Sequence, residues 1–222
     1  MPISVEGNRL EGAVERPLIE KALKRRLGLK LIRLVPKYPR TLPENCAAIV
    51  KKPIPVEEAL NPGSAVLITD LNLQCQILGM LKNAQPFRKN RFKDDLSDLA
   101  VKKGFPKEAL PLIKEGDRIV IVPLKGGFRI ESKPQGQYAH EGQHATFKEI
   151  ARADFTGNGD EEVLMFRETS LITGGASDCE VLLFVKKKVK IPTGKKDSEG
   201  KKIYKTVDRL AVEKTLPGGR CS

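Results

Sequence analysis

The chain has 222 residues, of which 40% are hydrophobic and 31% charged, and it carries a formal net charge of +12 at pH 7. That is enough chain for one large or two small domains with a buried core, and no apolar run approaches the ~20 residues that span a bilayer, so no membrane span is expected. Tryptophan is absent and aromatics make up 5%, which argues against a carbohydrate-binding or single-strand stacking platform.

The positive balance favours anionic partners, whether nucleic acid, a phospholipid surface or an acidic protein, and it also serves solubility. Residues 1–7 show neither the basic nor the apolar region of a signal peptide. A removed leader would leave the same sequence, so the compartment stays open and an extracytoplasmic location is compatible with it. Cys46, Cys75, Cys179 and Cys221 are widely spaced with no C-x-x-C pair, so zinc-ribbon and thioredoxin readings are poor. The first three sit among apolar residues and read as buried small side chains. Three connectivities exist for four cysteines, and export would make one disulfide possible.

Residues 15–27 make the clearest helix. Pro17 suits a first turn, Leu18, Ile19, Ala22, Leu23 and Leu27 form a stripe, and Lys24, Arg25 and Arg26 favour the negative C-terminal end before Gly28. A strand is expected over 29–35 and another over 45–50, separated by Pro36, Pro39 and Pro43. Residues 61–79 and 114–130 then share one layout, a turn followed by two strands, of the sort that builds small barrels. Between them, residues 87–93 interleave Phe87 and Phe92 with Arg88, Lys89 and Arg91. Such interleaving can stack bases and neutralise phosphates, but the preferred reading has the phenylalanines anchoring a loop on the core. Residues 94–103 read as a helix.

Residues 132–142 carry Pro134 and Gly136 and read as a linker. A half-alternating strand then runs from Phe147 to Phe155 into a polar loop, and the apolar run 163–166 leaves it, which predicts a β-hairpin. Oxygen-bearing side chains recur through this loop: Asp154, Thr156, Asn158, Asp160 and Glu162, with Gly159 at the bend. Hard cations take six to eight oxygens from such loops. The segment 145–168 resembles the FG-GAP/VCBS family of calcium-loop hairpins, with a signature of roughly D-x-[DN]-x-D-G-x-x-D. Asp154, Asn158, Gly159 and Glu162 match or nearly match it. The resemblance implies a strand–loop–strand unit and a Ca²⁺ set of Asp154, Asn158, the backbone carbonyl of Asp160 and Glu162. With Asn and Glu where Asp is usual, and Thr156 a weak ligand, the expectation is either a weak structural site or a metal-free loop closed by Asp154 and Asn158 bonding to the backbone, with the metal-free loop preferred.

After a turn at 171–178, Cys179 to Val185 reads as a strand. Residues 186–205 hold nine lysines and form a long basic hairpin whose tip, with Lys195, Lys196, Lys201 and Lys202, is the candidate anion contact. Residues 207–212 close the last element, followed by a loose tail.

The only visible route to catalysis is His140-Glu141-Gly142-Gln143-His144, the H-E-x-x-H string of zinc peptidases. In those enzymes two histidines one helical turn apart bind Zn²⁺ and the glutamate activates water. Here Gly142 and a following strand argue for a polar loop instead. Nucleotide-binding glycine motifs and Ser-His-Asp signatures are not evident.

The architecture expected is α+β. Residues 1–132 form a mixed region with one main helix and barrel-like hairpins, 133–144 a linker, and 145–222 an antiparallel β-meander. The leading function is a non-enzymatic binding protein with a basic contact surface for a protein or anionic partner. The alternatives are a zinc hydrolase using His140, Glu141 and His144, and a nucleic-acid binder using Arg88, Lys89, Arg91 and the 186–205 lysines. Oligomeric state is not legible.

Overall fold

A computed structural model describes residues 15–27, 43–92, 106, 109, 118–133, 143–171, 177–196 and 198–221. Six strands form one antiparallel sheet in sequence order: β1 (Arg118–Leu124), β2 (Gly127–Lys133), β3 (Gln143–Ala153), β4 (Glu162–Leu171), β5 (Ser177–Lys196) and β6 (Lys202–Cys221). The sheet curls into a half-barrel. The chain is therefore α+β with an antiparallel meander, and the sheet dominates it.

Residues 133–144, read as a linker, connect β2 to β3, and these pair directly, with Phe128 opposite Phe147 and Glu131 opposite His144. The sheet thus continues across the expected domain boundary. Gly127 makes that pairing close enough to matter: a Cβ there would lie 1.9 Å from the Phe147 carbonyl oxygen. No side chain larger than hydrogen fits without moving backbone.

Alternation along the strands sends side chains to two faces. One face of the sheet carries Phe128, Ile130, Phe147, Val163, Met165, Leu182 and Phe184, with Phe92 and Ala109 packed in from outside the sheet. Phe128 stacks on Phe147 at 4.9 Å between centroids, and Phe147 meets Phe184 edge-on at 6.3 Å. Full burial of each such ring is worth ~2–3 kcal/mol. The other face presents Leu164, Val181, Leu183, Val185 and Leu216 to a helix.

Three α-helices and a short 3-10 helix (Val56–Glu58) complete the described structure: α1 (Glu15–Lys24), α2 (Cys46–Lys51) and α3 (Pro62–Asn83). In α1, Ile19 and Leu23 are buried as the stripe predicts, whereas Leu18 stands exposed. The expected strands at 45–50 and 61–79 are corrected to helices. Both start on a sequence signal that outweighs the β-branched run after it. Asn45 Oδ1 accepts the Ala48 N–H at 3.0 Å, and Asn61 Oδ1 accepts the Ser64 N–H at 2.9 Å with Pro62 in the first turn. These are N-caps, worth ~1 kcal/mol each. The strand expected at 29–35 and the helix at 94–103 lie outside the described residues.

The reason α3 reads poorly as a helix is its position. Ile68, Cys75, Leu78 and Leu81 pack against α1 and α2, and Leu73, Ile77 and Met80 pack against the sheet. A helix covered on two sides needs apolar residues on two sides, which erases the one-sided stripe. By length and composition alone α3 is also apolar enough to cross a membrane; in this fold it packs between α1–α2 and the sheet.

Polar groups on α3 hold the chain that precedes it. Asn72 Nδ2 donates to the Ile54 carbonyl at 2.8 Å while its Oδ1 accepts the Ile54 N–H at 3.0 Å. Cys46 and Cys75 form a disulfide that ties α2 to α3, and Cys179 is disulfide-bonded as well. Their burial was anticipated; the bridging was left open in sequence. The tail expected to be loose is instead the end of β6, with Asp178 opposite Arg220 and Ser177 opposite Cys221.

Candidate functional site

The hairpin predicted around residue 158 is β3–β4, and its loop turns on Gly157 and Gly159, both at φ near +80°. Inside the loop, hydrogen-bond donors converge on two buried carboxylates. Asp154 Oδ1 accepts the N–H of Gly157 at 2.7 Å and of Asn158 at 3.0 Å, and its Oδ2 accepts that of Gly159 at 2.7 Å. Glu162 Oε2 accepts from Phe155 N at 2.8 Å and Thr156 N at 3.0 Å. Its Oε1 accepts from the Thr156 hydroxyl at 2.6 Å and Asn158 Nδ2 at 3.2 Å. Asn158 Oδ1 takes the Asp160 N–H at 2.7 Å.

This arrangement bears on the calcium set implied by the FG-GAP resemblance. A cation site presents lone pairs to its centre, whereas here N–H and O–H protons already occupy the oxygens of Asp154 and Glu162. The Asp160 carboxylate accepts from Arg91 Nη2 at 2.7 Å, while the oxygen expected in the set is its backbone carbonyl. In this arrangement the carboxylates of Asp154 and Glu162 are engaged by donors of the loop itself. Among the described residues no group of three or more metal-ligating His, Cys, Asp or Glu comes together.

What the loop does hold is the segment after α3. Gln85 and Asp154 exchange backbone hydrogen bonds at 2.9 and 2.8 Å, the Gly159 carbonyl accepts from Arg88 N at 2.8 Å, and Glu161 N donates to the Lys89 carbonyl at 2.9 Å. Glu161, buried, turns its carboxylate the other way and accepts the N–H of Arg91 at 2.9 Å and of Phe92 at 2.7 Å. Arg152 grips Glu149 with two bonds of 2.9 and 2.8 Å and donates to the Phe92 carbonyl at 3.0 Å. Burial works against the Arg152 charge, but the bonds to Glu149 and the field of Glu161 overcome it and raise its pKa. The Arg91 hydrogen bond holds the Asp160 carboxyl below the ordinary aspartate range, helped by the charges of Arg91, Lys89 and Lys188.

The same segment anchors the root of the basic hairpin. Lys186 Nζ donates to the Arg91 carbonyl and lies 5.0 Å from the centroid of the Phe92 ring. Arg91 Nη1 lies 3.8 Å from Asp208 on β6. Beyond this point β5 loses its inner neighbour: pairing with β4 ends at Phe184 opposite Val163, while pairing with β6 runs on to Lys196 opposite Lys202. The result is a two-stranded arm that extends past the β4 pairing and is largely exposed.

Cross-strand partners share a face of this arm. Lys187 with Arg209, Val189 with Val207, and Ile191 with Lys205 form one face; Lys188 with Asp208, Lys190 with Thr206, and Pro192 with Tyr204 form the other. Lys187 pairs with Glu213 at 2.7 Å and Lys201 with Glu199 at 2.8 Å. Lys188, Lys190, Lys195, Lys196, Lys202, Lys205 and Arg209 lie within ion-pair distance of no described carboxylate. The tip is therefore basic, and Tyr204 stands 55% exposed beside it.

The remaining candidates separate. Of the bases at 88–91, Arg88 and Lys89 are exposed, while Arg91 is committed to Asp160 and Asp208, and Phe92 is in the core. Phe92 takes the anchoring role preferred from sequence, whereas Phe87 is half-buried and outside the core clusters. His140 and Glu141 lie outside the described residues. His144 sits in β3, where Ser170 on β4 is its cross-strand partner and the Ser170 hydroxyl lies 2.7 Å from its Nε2. From Gln143 onward the backbone is strand, so the helix that would align two histidines does not run through His144. Sequence reasoning missed Glu161, Arg152 and Asp208. Asp160 and Glu161 both reach the Arg91–Phe92 segment, while Glu162 turns into the loop.

No known family model, curated protein or solved structure matches the chain.

Proposed function

We propose that the chain is a non-enzymatic binding protein whose contact organ is the β5–β6 arm and whose partner is a polyanion. One observation carries this reading: both strands run past the end of their pairing with the sheet, and this overhang holds the densest positive charge in the molecule. A fold has no packing reason to extend a lysine-rich ribbon into water. Like charges along it repel one another, which costs stability, and an anionic partner offsets that cost. The β3–β4 loop is the brace in this reading. Asp154 and Glu162 set its shape without metal, and Glu161 and Asp160 hold the segment that grips Lys186 at the arm root.

The test is retention on immobilised heparin, a generic polyanion, by the full chain and by a tip variant carrying Lys195→Gln, Lys196→Gln, Lys201→Gln and Lys202→Gln. The variant should elute at clearly lower salt with an unchanged unfolding midpoint, because these side chains are exposed. Equal elution of the two proteins removes the arm from the binding surface and overturns the proposal.

A further inference from the structure

Resting on the arm as contact organ, we infer that its partner is double-stranded nucleic acid, with the β5–β6 ribbon lying in the major groove between two walls of phosphate. Three features of the arm favour this over a flat anionic surface. The first is how the charge is distributed. Lys205 and Arg209 project from one face, and Lys188 and Lys190 from the other. A ribbon lying on a bilayer turns one face to the headgroups and the other to water, which leaves half of these cations unused. A groove engages both faces at once.

The second is dimension. Residues 187–196 at ~3.3 Å each make a ribbon about 30 Å long, close to the ~34 Å of one duplex turn. Two strands about 4.8 Å apart, with their side chains, suit a major groove ~12 Å wide, which admits a two-stranded ribbon. The third is the root. Arg91 lies 3.8 Å from Asp208, the residue opposite Lys188 across the ribbon, so that carboxylate is shared with a cation from within the protein, and Lys188 forms an ion pair with no described carboxylate. Lysine as a point charge on a flexible stem neutralises phosphate without selecting a base, so the mode predicted is sequence-tolerant and steeply salt-dependent.

The experiment measures fluorescence anisotropy with a labelled duplex DNA of about two helical turns across a salt series. It uses the full chain and a variant carrying Lys188→Gln, Lys190→Gln and Lys205→Gln, with circular-dichroism melts as the folding control. A second duplex carries bulky pyrimidine 5-substituents that fill the major groove, and vesicles of phosphatidylglycerol in phosphatidylcholine form a separate arm. The inference expects duplex binding whose log Kd–log salt slope flattens by about 2.7 in the variant, at ~0.9 per lost phosphate contact. It also expects that filling the major groove abolishes binding. Equal binding to the filled duplex overturns the groove geometry. Arm-dependent vesicle binding without duplex binding overturns the nucleic-acid inference and leaves the polyanion reading standing. Binding to neither, together with no heparin retention, overturns both.

Discussion

Glu162 is the most informative residue to change. Its side chain is 1% exposed, and it receives two main-chain N–H groups, a hydroxyl and an amide at 2.6–3.2 Å. Substituting leucine keeps approximate bulk and removes every acceptor. Hydrogen bonds to a charged group contribute ~1.5–3 kcal/mol each, and a donor stranded away from water costs a similar amount. The Thr156 hydroxyl and Asn158 amide can turn to solvent, so the loss counts mainly on the N–H groups of Phe155 and Thr156. That places Glu162→Leu at about 3–5 kcal/mol, a large part of the 5–15 kcal/mol typical of a whole domain. Glu162→Gln retains one acceptor oxygen for the main chain and should cost about 1–2 kcal/mol. Urea unfolding followed by circular dichroism, read as midpoint and slope, checks both. A loss under 1 kcal/mol for the leucine variant would refute the idea that this carboxylate closes the loop. Melting in millimolar Ca²⁺ against chelator completes the test. The self-closed loop predicts no shift, whereas a site held at 100-fold excess over its Kd would add about 2.7 kcal/mol.

Further outcomes follow from other parts of the fold. Cys46→Ala with Cys75→Ala opens a bridge between residues 29 apart, and loop-closure entropy puts the loss near 3.6 kcal/mol; denaturant midpoints of the oxidised proteins measure it, and an unchanged midpoint contradicts the bridge. Gly127→Ala must push Cβ into the Phe147 carbonyl and should cost about 3 kcal/mol or more, with disturbed β2–β3 amide exchange as the local readout. Asp160→Asn should weaken the Arg91 contact by up to about 1 kcal/mol at neutral pH. Because Arg91 depresses the folded-state pKa of Asp160, the wild-type advantage is full above the ordinary aspartate range. It disappears as pH falls through the depressed value, so the two urea midpoints should converge in acid. A deficit that persists there would point to packing rather than charge.

The C-terminal half was legible because its signals are local. Period-two alternation marks the strands, Gly157 and Gly159 permit the tight loop, and Lys187 to Lys190 show an exposed ribbon. The segment 45–83 was misread because burial on two sides removes the periodicity that separates helix from strand. Only the Asn45 and Asn61 caps and the Pro62 start remained as evidence. Within the loop, the sequence listed the oxygens of Asp154, Asn158, Asp160 and Glu162 but not their directions. The same residues could cage a cation or cap a turn, and which occurs depends on where the N–H groups of 155–159 point.

Taken alone, the amino-acid order determined an antiparallel β-rich C-terminal part, a glycine-hinged hairpin around residue 158 and a lysine-dense hairpin after residue 186. All of these rest on neighbours in sequence. Tertiary structure decided the rest. It joined β2 to β3 in one sheet, set α3 between two apolar layers, bridged Cys46 to Cys75, and turned Asp160 and Glu161 outward to hold residues 85–92 at the arm root. Each of those outcomes depends on groups that meet only when distant segments pack, and pairing over such distances leaves no periodic trace in the chain.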